Sequence, residues 1–454
     1  MGSPELYQPS PVRGTDDTEE PMSSTHTRRG LTVAALSTAL VTSLAATAVA
    51  QDEKVELTML ADNTEGTMAW TEALVAAYEE QNPNVSISVE WRPGGGDGDN
   101  IVKTRLATGE MADIFRYNSG SLFQALNPTE TLVDLSGEAF MENVSDAFLP
   151  SVTAGDGVYG VPLGTAMGGG ILYNKAIYEE LGLEVPTTWE EFAANNEAIK
   201  EAGIAPVAAS FADTWTSQLF VLSDFYNVLA ADPEWAEKFT ANQAKYATDP
   251  AALKGFQYTQ QGFDDGWWQE DFDVTTYGEA VGLLAEGEVA HYPMLTFALG
   301  EISNVYPEAV DDIGFFAQPG TAEANGATIW MTDGTYIPNT SENIDAAKDF
   351  LAYIASVEAT EVMSGAQSPA GPYLIDGASL PEDAMPALFD LQAYIDAGNA
   401  APALEFLSPI KGPQLEHILV EVGSGLRSAE DGAALYDQDV VKQAQQLGLE
   451  GWDE

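Results

Sequence analysis

The 454-residue chain contains no cysteine. That excludes a disulfide framework, a thiolate metal site and a lipid-modified cysteine at a signal-peptide cleavage point. Histidine is nearly absent: of three in all, only His291 and His417 lie beyond the first 50 residues. Two histidines cannot supply both a His-based catalytic triad and a metal cluster. No G-x-S-x-G elbow and no H-E-x-x-H pair appears. Basic residues are scarce as well, with 17 Lys and Arg against 71 Asp and Glu and a formal net charge of −54. Three of the basic and five of the acidic residues fall in positions 1–50, leaving 14 and 66, net −52, beyond them. A field of that sign repels nucleic acid, anionic lipid and phosphorylated substrates. It suits a surface that stays soluble at high salt, and a halophilic or marine source is the expectation it raises. Loss of folded structure on dialysis to low salt would support that expectation, and indifference to salt would count against it.

Only one apolar run is long enough to bear on export. Leu31 to Val49 follows Arg28 and Arg29 and closes with Ala48-Val49-Ala50. A positive n-region, an apolar h-region and an A-x-A end describe a secretory signal peptide, cleaved near Ala50. Ser and Thr dilute the run, which makes it a poorer fit to a membrane anchor. Thr27-Arg28-Arg29-Gly30-Leu31 also has the look of a twin-arginine signal. Residues 1–21 read as a tag or a mis-assigned start upstream of Met22. The mature protein is expected to be soluble, periplasmic or extracellular, and a monomer.

What is present is a globular chain, 45% hydrophobic, with room for two to three domains. Lys54 to Ala61 alternates as a strand does. Asp62 to Thr67 is a polar turn, and Met68 to Gln81 places Trp70, Leu74, Val75 and Tyr78 at helical spacing. Val85 to Val89 is a second strand, so the unit is β-α-β and implies a parallel sheet. Pro93 to Asn100 reads as a flexible glycine-rich turn. Ile101 to Thr108 reads as a helix and Ala112 to Phe115 as a short strand. Thr188 and Glu191 fit a capping box. Strands and helices keep alternating to the end, which predicts an α/β protein.

Residues 161–174, VPLGTAMGGGILYN, pose a conflict. The run is apolar enough for a buried strand, yet glycine weakens strands and three stand together at Gly168 to Gly170.

Several segments resemble, in order, the extracellular solute-binding proteins of ABC importers, the sugar-binding group that includes the maltose-binding proteins. They are Thr108 to Ile114, Gly157 to Pro162 with Tyr173-Asn174-Lys175, Pro186 to Phe192, Gly287 to Ala290, and Gln443 to Leu449. The resemblance implies the two-lobe periplasmic-binding-protein fold of type II, with crossing hinge strands and a ligand cleft between the lobes. It assigns 51–167 plus 295–337 to an N-terminal lobe and 168–294 plus 338–454 to a C-terminal lobe. The triple glycine then falls at the first crossover, where bare backbone permits bending or close approach of ligand; a bulge or tight packing is the alternative. Two further crossings are expected near Met294 and Ile337.

The resemblance also implies a function: capture of a neutral mono- or oligosaccharide and delivery to membrane permease subunits, with no cofactor and no catalysis. Sugar hydroxyls seek planar polar groups and sugar C–H faces stack on rings, of which the chain has 9 Trp, 17 Tyr and 18 Phe. Ligands of α/β proteins gather at the tips of strands. Asn63, Thr64 and Glu65 follow the first strand, and Asn118 and Ser119 follow the strand ending at Phe115. From the second lobe, Asp213 is expected to take hydroxyls and Trp215 to stack. Phe297 stands where many relatives carry a tryptophan platform, and Asp333 with Gly334 resembles a crossing turn beside ligand. Trp268 is a further candidate, with core packing as its alternative. Two rival functions remain open at this point: the same fold holding a cation such as a polyamine, and a secreted glycoside-active enzyme with two carboxylates.

Overall fold

The computed structural model describes residues 54–320 and 325–452. The expected leader and its cleavage point near Ala50 lie outside the described residues. Two sheets organise the chain. The first has five strands in the order Val85–Arg92, Val55–Asp62, Ile114–Tyr117, Gly334–Tyr336, Gly160–Pro162. Its first three strands are parallel and its last two antiparallel to their neighbours. The expected β-α-β unit is present in full register, from Val55 opposite Val85 to Asp62 opposite Arg92. Its helix, Glu65–Gln81, buries Leu74 and Tyr78 and leaves Trp70 only partly covered.

The glycine-rich segment after Arg92 is no flexible turn, because the helix Gly95–Thr108 begins inside it. A Cβ on Gly98 would collide with the Pro93 carbonyl and the Arg92 guanidinium. Glycine there serves close packing on a buried arginine.

The second sheet runs Ala400–Pro402, Ala327–Trp330, Met167–Asn174, Val289–Leu295, Ala205–Val207. Ile313–Ala317 also pairs with the later half of Met167–Asn174. Met167–Asn174 is therefore the central strand, antiparallel to three partners. Its glycines answer to packing. A Cβ on Gly169 would run into the Trp330 indole. One on Gly168 would stand 2.5 Å from Leu391, and one on Gly170 2.5 Å from the Phe316 carbonyl. The bend expected at these glycines gives way to the alternative, tight packing.

The lobes are joined by passages lying side by side. Residues 163–166 link Pro162 in the first sheet to Met167 in the second, and residues 331–333 link Trp330 to Gly334 in return. The Leu163 N–H donates to the Asp333 carbonyl at 3.1 Å, and Thr332 Oγ1 donates to the Leu163 carbonyl at 2.9 Å. A third passage runs between the helices Val357–Ala366 and Pro386–Asp396. There the Ala166 N–H donates to the Pro372 carbonyl at 2.9 Å and the Ala370 N–H to Thr165 Oγ1 at 3.2 Å.

These passages depart from the expected boundaries. No crossing into the first sheet occurs near Met294, because the chain returns through the helix Ala298–Val305 to the second sheet at Ile313–Ala317. Ile313–Ala317 and Ala327–Trp330, expected in the N-terminal lobe, belong to the second sheet. The helices Ile344–Ile354 and Val357–Ala366, expected in the C-terminal lobe, pack on Glu65–Gln81, with Tyr78 edge-on to Phe350 at 4.9 Å. The physical reason is that an apolar strand does not announce its partner. Only the bare strand at Gly168–Gly170 admits Trp330 and Phe315 so closely.

Local signals in the second lobe hold. The Thr188–Glu191 capping box opens the helix Trp189–Glu201. Trp189 then stacks on Tyr258 at 3.6 Å between ring centroids.

Candidate ligand cleft

Two cavities, of about 460 Å³ and about 470 Å³, lie along the junction of the lobes and share Met167, Phe297 and Asp333. The first draws Asn118 and Ser119 from the first lobe and Trp215, Gln218 and Trp330 from the second. The second draws Thr64 and Trp70 from the first lobe and Tyr277, Phe297 and Glu301 from the other side. Volumes of this size suit small ligands.

The first-lobe wall is organised by charge. Asp62 ends the first strand, Arg116 sits on Ile114–Tyr117, and Asp333 lies in the passage before Gly334. Arg116 forms an ion pair with Asp62 and another with Asp333 at 2.9 Å. Burial pushes the Asp62 carboxyl up, but Arg116 and hydrogen bonds with Thr64 and Thr67 outweigh it and hold Asp62 below its ordinary range. Burial pushes Asp333 up; Arg116 opposes this and the Asp62 charge adds to it, leaving Asp333 above the usual carboxylate range. Burial would lower Arg116, but the two acids more than offset it and the guanidinium stays charged. Thr64 Oγ1 lies 2.6 Å from Asp62 Oδ1 and 2.9 Å from Thr67 Oγ1. Ser119 Oγ donates to the Thr332 carbonyl at 2.7 Å, tying this wall to the crossing passage.

The second-lobe wall is aromatic. Trp215, Tyr277 and Phe297 form a triangle with centroid separations of 5.5 Å, 5.7 Å and 6.0 Å. Each ring comes from a different element. Trp215 lies in the short 3₁₀ helix Thr214–Gln218, Tyr277 opens the helix capped by Thr276 and Glu279, and Phe297 precedes Ala298–Val305. Asp213 Oδ2 accepts the Tyr277 N–H at 2.7 Å and so fixes where that ring begins.

Of the residues singled out from the sequence, Thr64, Asn118, Ser119, Trp215, Phe297 and Asp333 line the cavities. Asp213 does not line them and acts on the Tyr277 backbone. Asn63 is exposed, donates its N–H to the Arg92 carbonyl at 2.8 Å, and lines neither cavity. Gly334 is buried beneath the Tyr336 ring, which a Cβ there would overlap. Trp268 donates Nε1–H to the Gly423 carbonyl at 3.0 Å and packs on Phe220, away from the cleft. The Glu65 side chain lies outside the described residues. Sequence reasoning passed over Trp70, Tyr277, Glu301 and Trp330. Trp330 had a usable signal, since a triple glycine in a strand calls for a large ring beside it.

The model of the family described as bacterial extracellular solute-binding protein matches residues 61–361. The multiple sugar-binding protein of Streptococcus mutans is 26% identical over 294 residues, 63% of this chain and 68% of that one. The melibiose/raffinose/stachyose-binding protein MelE of Bacillus subtilis is 22% identical over 313 residues, 66% of this chain and 70% of that one. Among solved structures, a chitin oligosaccharide binding protein superposes with a TM-score of 0.73 at 22% identity, covering 86% of this chain and 99% of that one. RafE in complex with raffinose gives 0.71 at 20% identity, covering 85% and 98%. These likenesses bear out the two-lobe α/β fold. A match across two thirds of the sequence, on a fold with its cleft between two crossed lobes, makes this chain a member of the bacterial extracellular solute-binding protein family.

Proposed function

We propose that this protein captures a neutral sugar or oligosaccharide outside the cytoplasm and delivers it to an ABC-type membrane permease. The observation that carries the reading is the ring triangle Trp215–Tyr277–Phe297, set across the cleft from Thr64, Asn118, Ser119 and Asp333. Rings on one side and planar or hydroxyl groups on the other match the two chemistries of a sugar. The cleft's cations support an uncharged ligand. Arg116 is committed to Asp62 and Asp333, and Lys411 to Glu405 at 2.6 Å. An anionic sugar would find neither free. The names of the relatives, which bind multiple sugars, raffinose or chitin oligosaccharides, point the same way.

In this reading the open protein samples closed states, and a sugar touching both walls stabilises the closed form. Thr64, Asn118, Ser119 and Asp333 hold hydroxyls while Trp215 and Phe297 stack. The test is tryptophan fluorescence and calorimetry with a panel of neutral mono- and oligosaccharides plus spermidine. One sugar binding one-to-one with little salt dependence is the expected result. Binding of spermidine alone, weakening steeply with salt, or hydrolysis of a sugar by pure protein, would overturn it.

A further inference from the structure

The second cavity contains a carboxylate that no cation balances among the described residues. Glu301 lies on the helix Ala298–Val305 and lines the cavity with Trp70, Tyr277 and Phe297. Among the described residues, the only cations lining either cavity, Arg116 and Lys411, are paired with other acids. Asp213, bonded to the Tyr277 N–H, adds a second acid without an ion pair among the described residues. Asp213 meets Tyr277 at its backbone, and Glu301 meets it at the phenol: burial first, then the Glu301 charge and a hydrogen bond with Glu301, hold the phenol above its ordinary range.

Ring faces attract cations through their quadrupoles, and a carboxylate beside them adds a direct counter-charge. When the lobes close, water leaves and the attraction strengthens. A hydroxyl there would leave the Glu301 charge unbalanced in a drier cleft. A protonated amine would balance it.

We propose that the cavity between Trp70 and Phe297 is a subsite for a sugar unit bearing a basic nitrogen, with Glu301 as its counter-ion. This rests on the reading of the cleft as a sugar site and adds one amine at one end of an otherwise uncharged ligand. The neutral panel, with its small salt dependence, tests the sugar reading, and the salt-dependent preference for the amine tests the subsite. The sugar ring stacks on Tyr277 or Phe297, and the ammonium group faces Glu301.

The test is calorimetric titration of the whole mature chain with the glucosamine disaccharide and with its N-acetylated twin. Wild type and Glu301→Gln are compared at several salt concentrations at which circular dichroism shows both folded. The expected result is aminated sugar bound roughly fivefold or more tightly than its twin by wild type. That preference should shrink as salt rises and vanish in Glu301→Gln. Equal affinities in wild type, or a preference that survives Glu301→Gln, overturn the subsite and leave the sugar reading standing, because sugar is still bound. Binding of neither disaccharide also overturns the subsite, and the panel of neutral sugars then decides the sugar reading separately.

Discussion

The indole of Trp330 lies on the bare backbone of Gly169, where a single added methyl would run into the ring. Gly169 pairs with Thr328, two residues before Trp330 on the neighbouring strand, so the ring reaches diagonally across the sheet. The same ring lines the first cavity of the cleft. A glycine in the centre of a sheet thus shapes one wall of the ligand site. Gly169→Ala should cost about 1–3 kcal/mol through overpacking. It should also weaken sugar binding, because a displaced ring no longer presents the same wall to the cleft. Urea unfolding and calorimetry check the two effects, and a fully stable variant with unchanged affinity would refute the coupling.

What the sequence made legible is local. The first β-α-β unit shows in alternation and helical spacing, and the Thr188–Glu191 box in residues three apart. Partnering of strands was not legible. Ile313–Ala317 and Ala327–Trp330 are buried on both faces, so their apolar runs carry no mark of which sheet they join. The candidate site divides the same way. Polar residues just past strand ends, Thr64, Asn118 and Ser119, were found by position. Trp70 was not, because a tryptophan at helical spacing with Leu74 and Tyr78 reads as core. Asn63 and Asp213 have the right chemistry at strand or loop ends, but Asn63 lines neither cavity and the Asp213 carboxylate is taken by the Tyr277 N–H.

Arg116 holds two acids together in a nearly buried place. Its side chain is 11% exposed and that of Asp62 is 7% exposed. Arg116→Met would leave Asp62 and Asp333 without their shared cation, and breaking a buried pair costs about 3–5 kcal/mol. Adding Asp62→Asn should recover part of that loss by removing the stranded charge. Thermal unfolding of the two variants measures this; a double variant no more stable than Arg116→Met would show that charge is not the cause.

His291 predicts acid sensitivity. Its Nδ1 lies 2.9 Å from the Pro206 carbonyl, which can only accept, so Nδ1 bears the proton. Nε2 then accepts from the Tyr178 hydroxyl at 2.7 Å. Phe192 and Phe316 pack near the ring. Burial pushes its pKa down to about 3, although the Pro206 hydrogen bond opposes the shift. Unfolded histidine takes up a proton near pH 6.5, which the native state refuses until about pH 3. Stability therefore falls as pH drops through that window, by up to about 1.4 kcal/mol per unit from this group. His291→Gln should flatten the slope of unfolding free energy between pH 6.5 and 4 by one proton. An unchanged slope would assign the acid sensitivity to the carboxylates.

Trp215, like Phe297, is a ring of the triangle that sequence and cavity agree on. It is only partly buried and contacts Tyr277 and Phe297 from the cleft side. Trp215→Ala should lose about 1–3 kcal/mol of binding to whichever sugar the panel identifies, as truncated aromatic anchors do. Stability should change less, since the ring is not enclosed by core. Calorimetry beside a melting curve separates the two, and a large stability loss with unchanged affinity would make Trp215 a packing residue.

Thr296 joins the end of one strand to two other segments at the junction. Its Oγ1 accepts the Gly168 N–H at 2.9 Å and donates to the Ala370 carbonyl at 2.5 Å. Ala370 lies in the third passage between lobes, and Gly168 follows the first. One buried hydroxyl therefore links the central strand to a hinge segment. Thr296→Val keeps the shape but strands both backbone groups away from water, at about 1–3 kcal/mol for each. Thr296→Ser keeps the hydroxyl and should stay within about 1 kcal/mol of wild type, since it removes roughly one methyl. If the link also limits how the passages slide, Thr296→Val should alter the shrinkage that sugar produces in small-angle scattering, whereas Thr296→Ser should not. Equal stability losses in the two variants would show that the methyl group, not the hydroxyl, holds the junction.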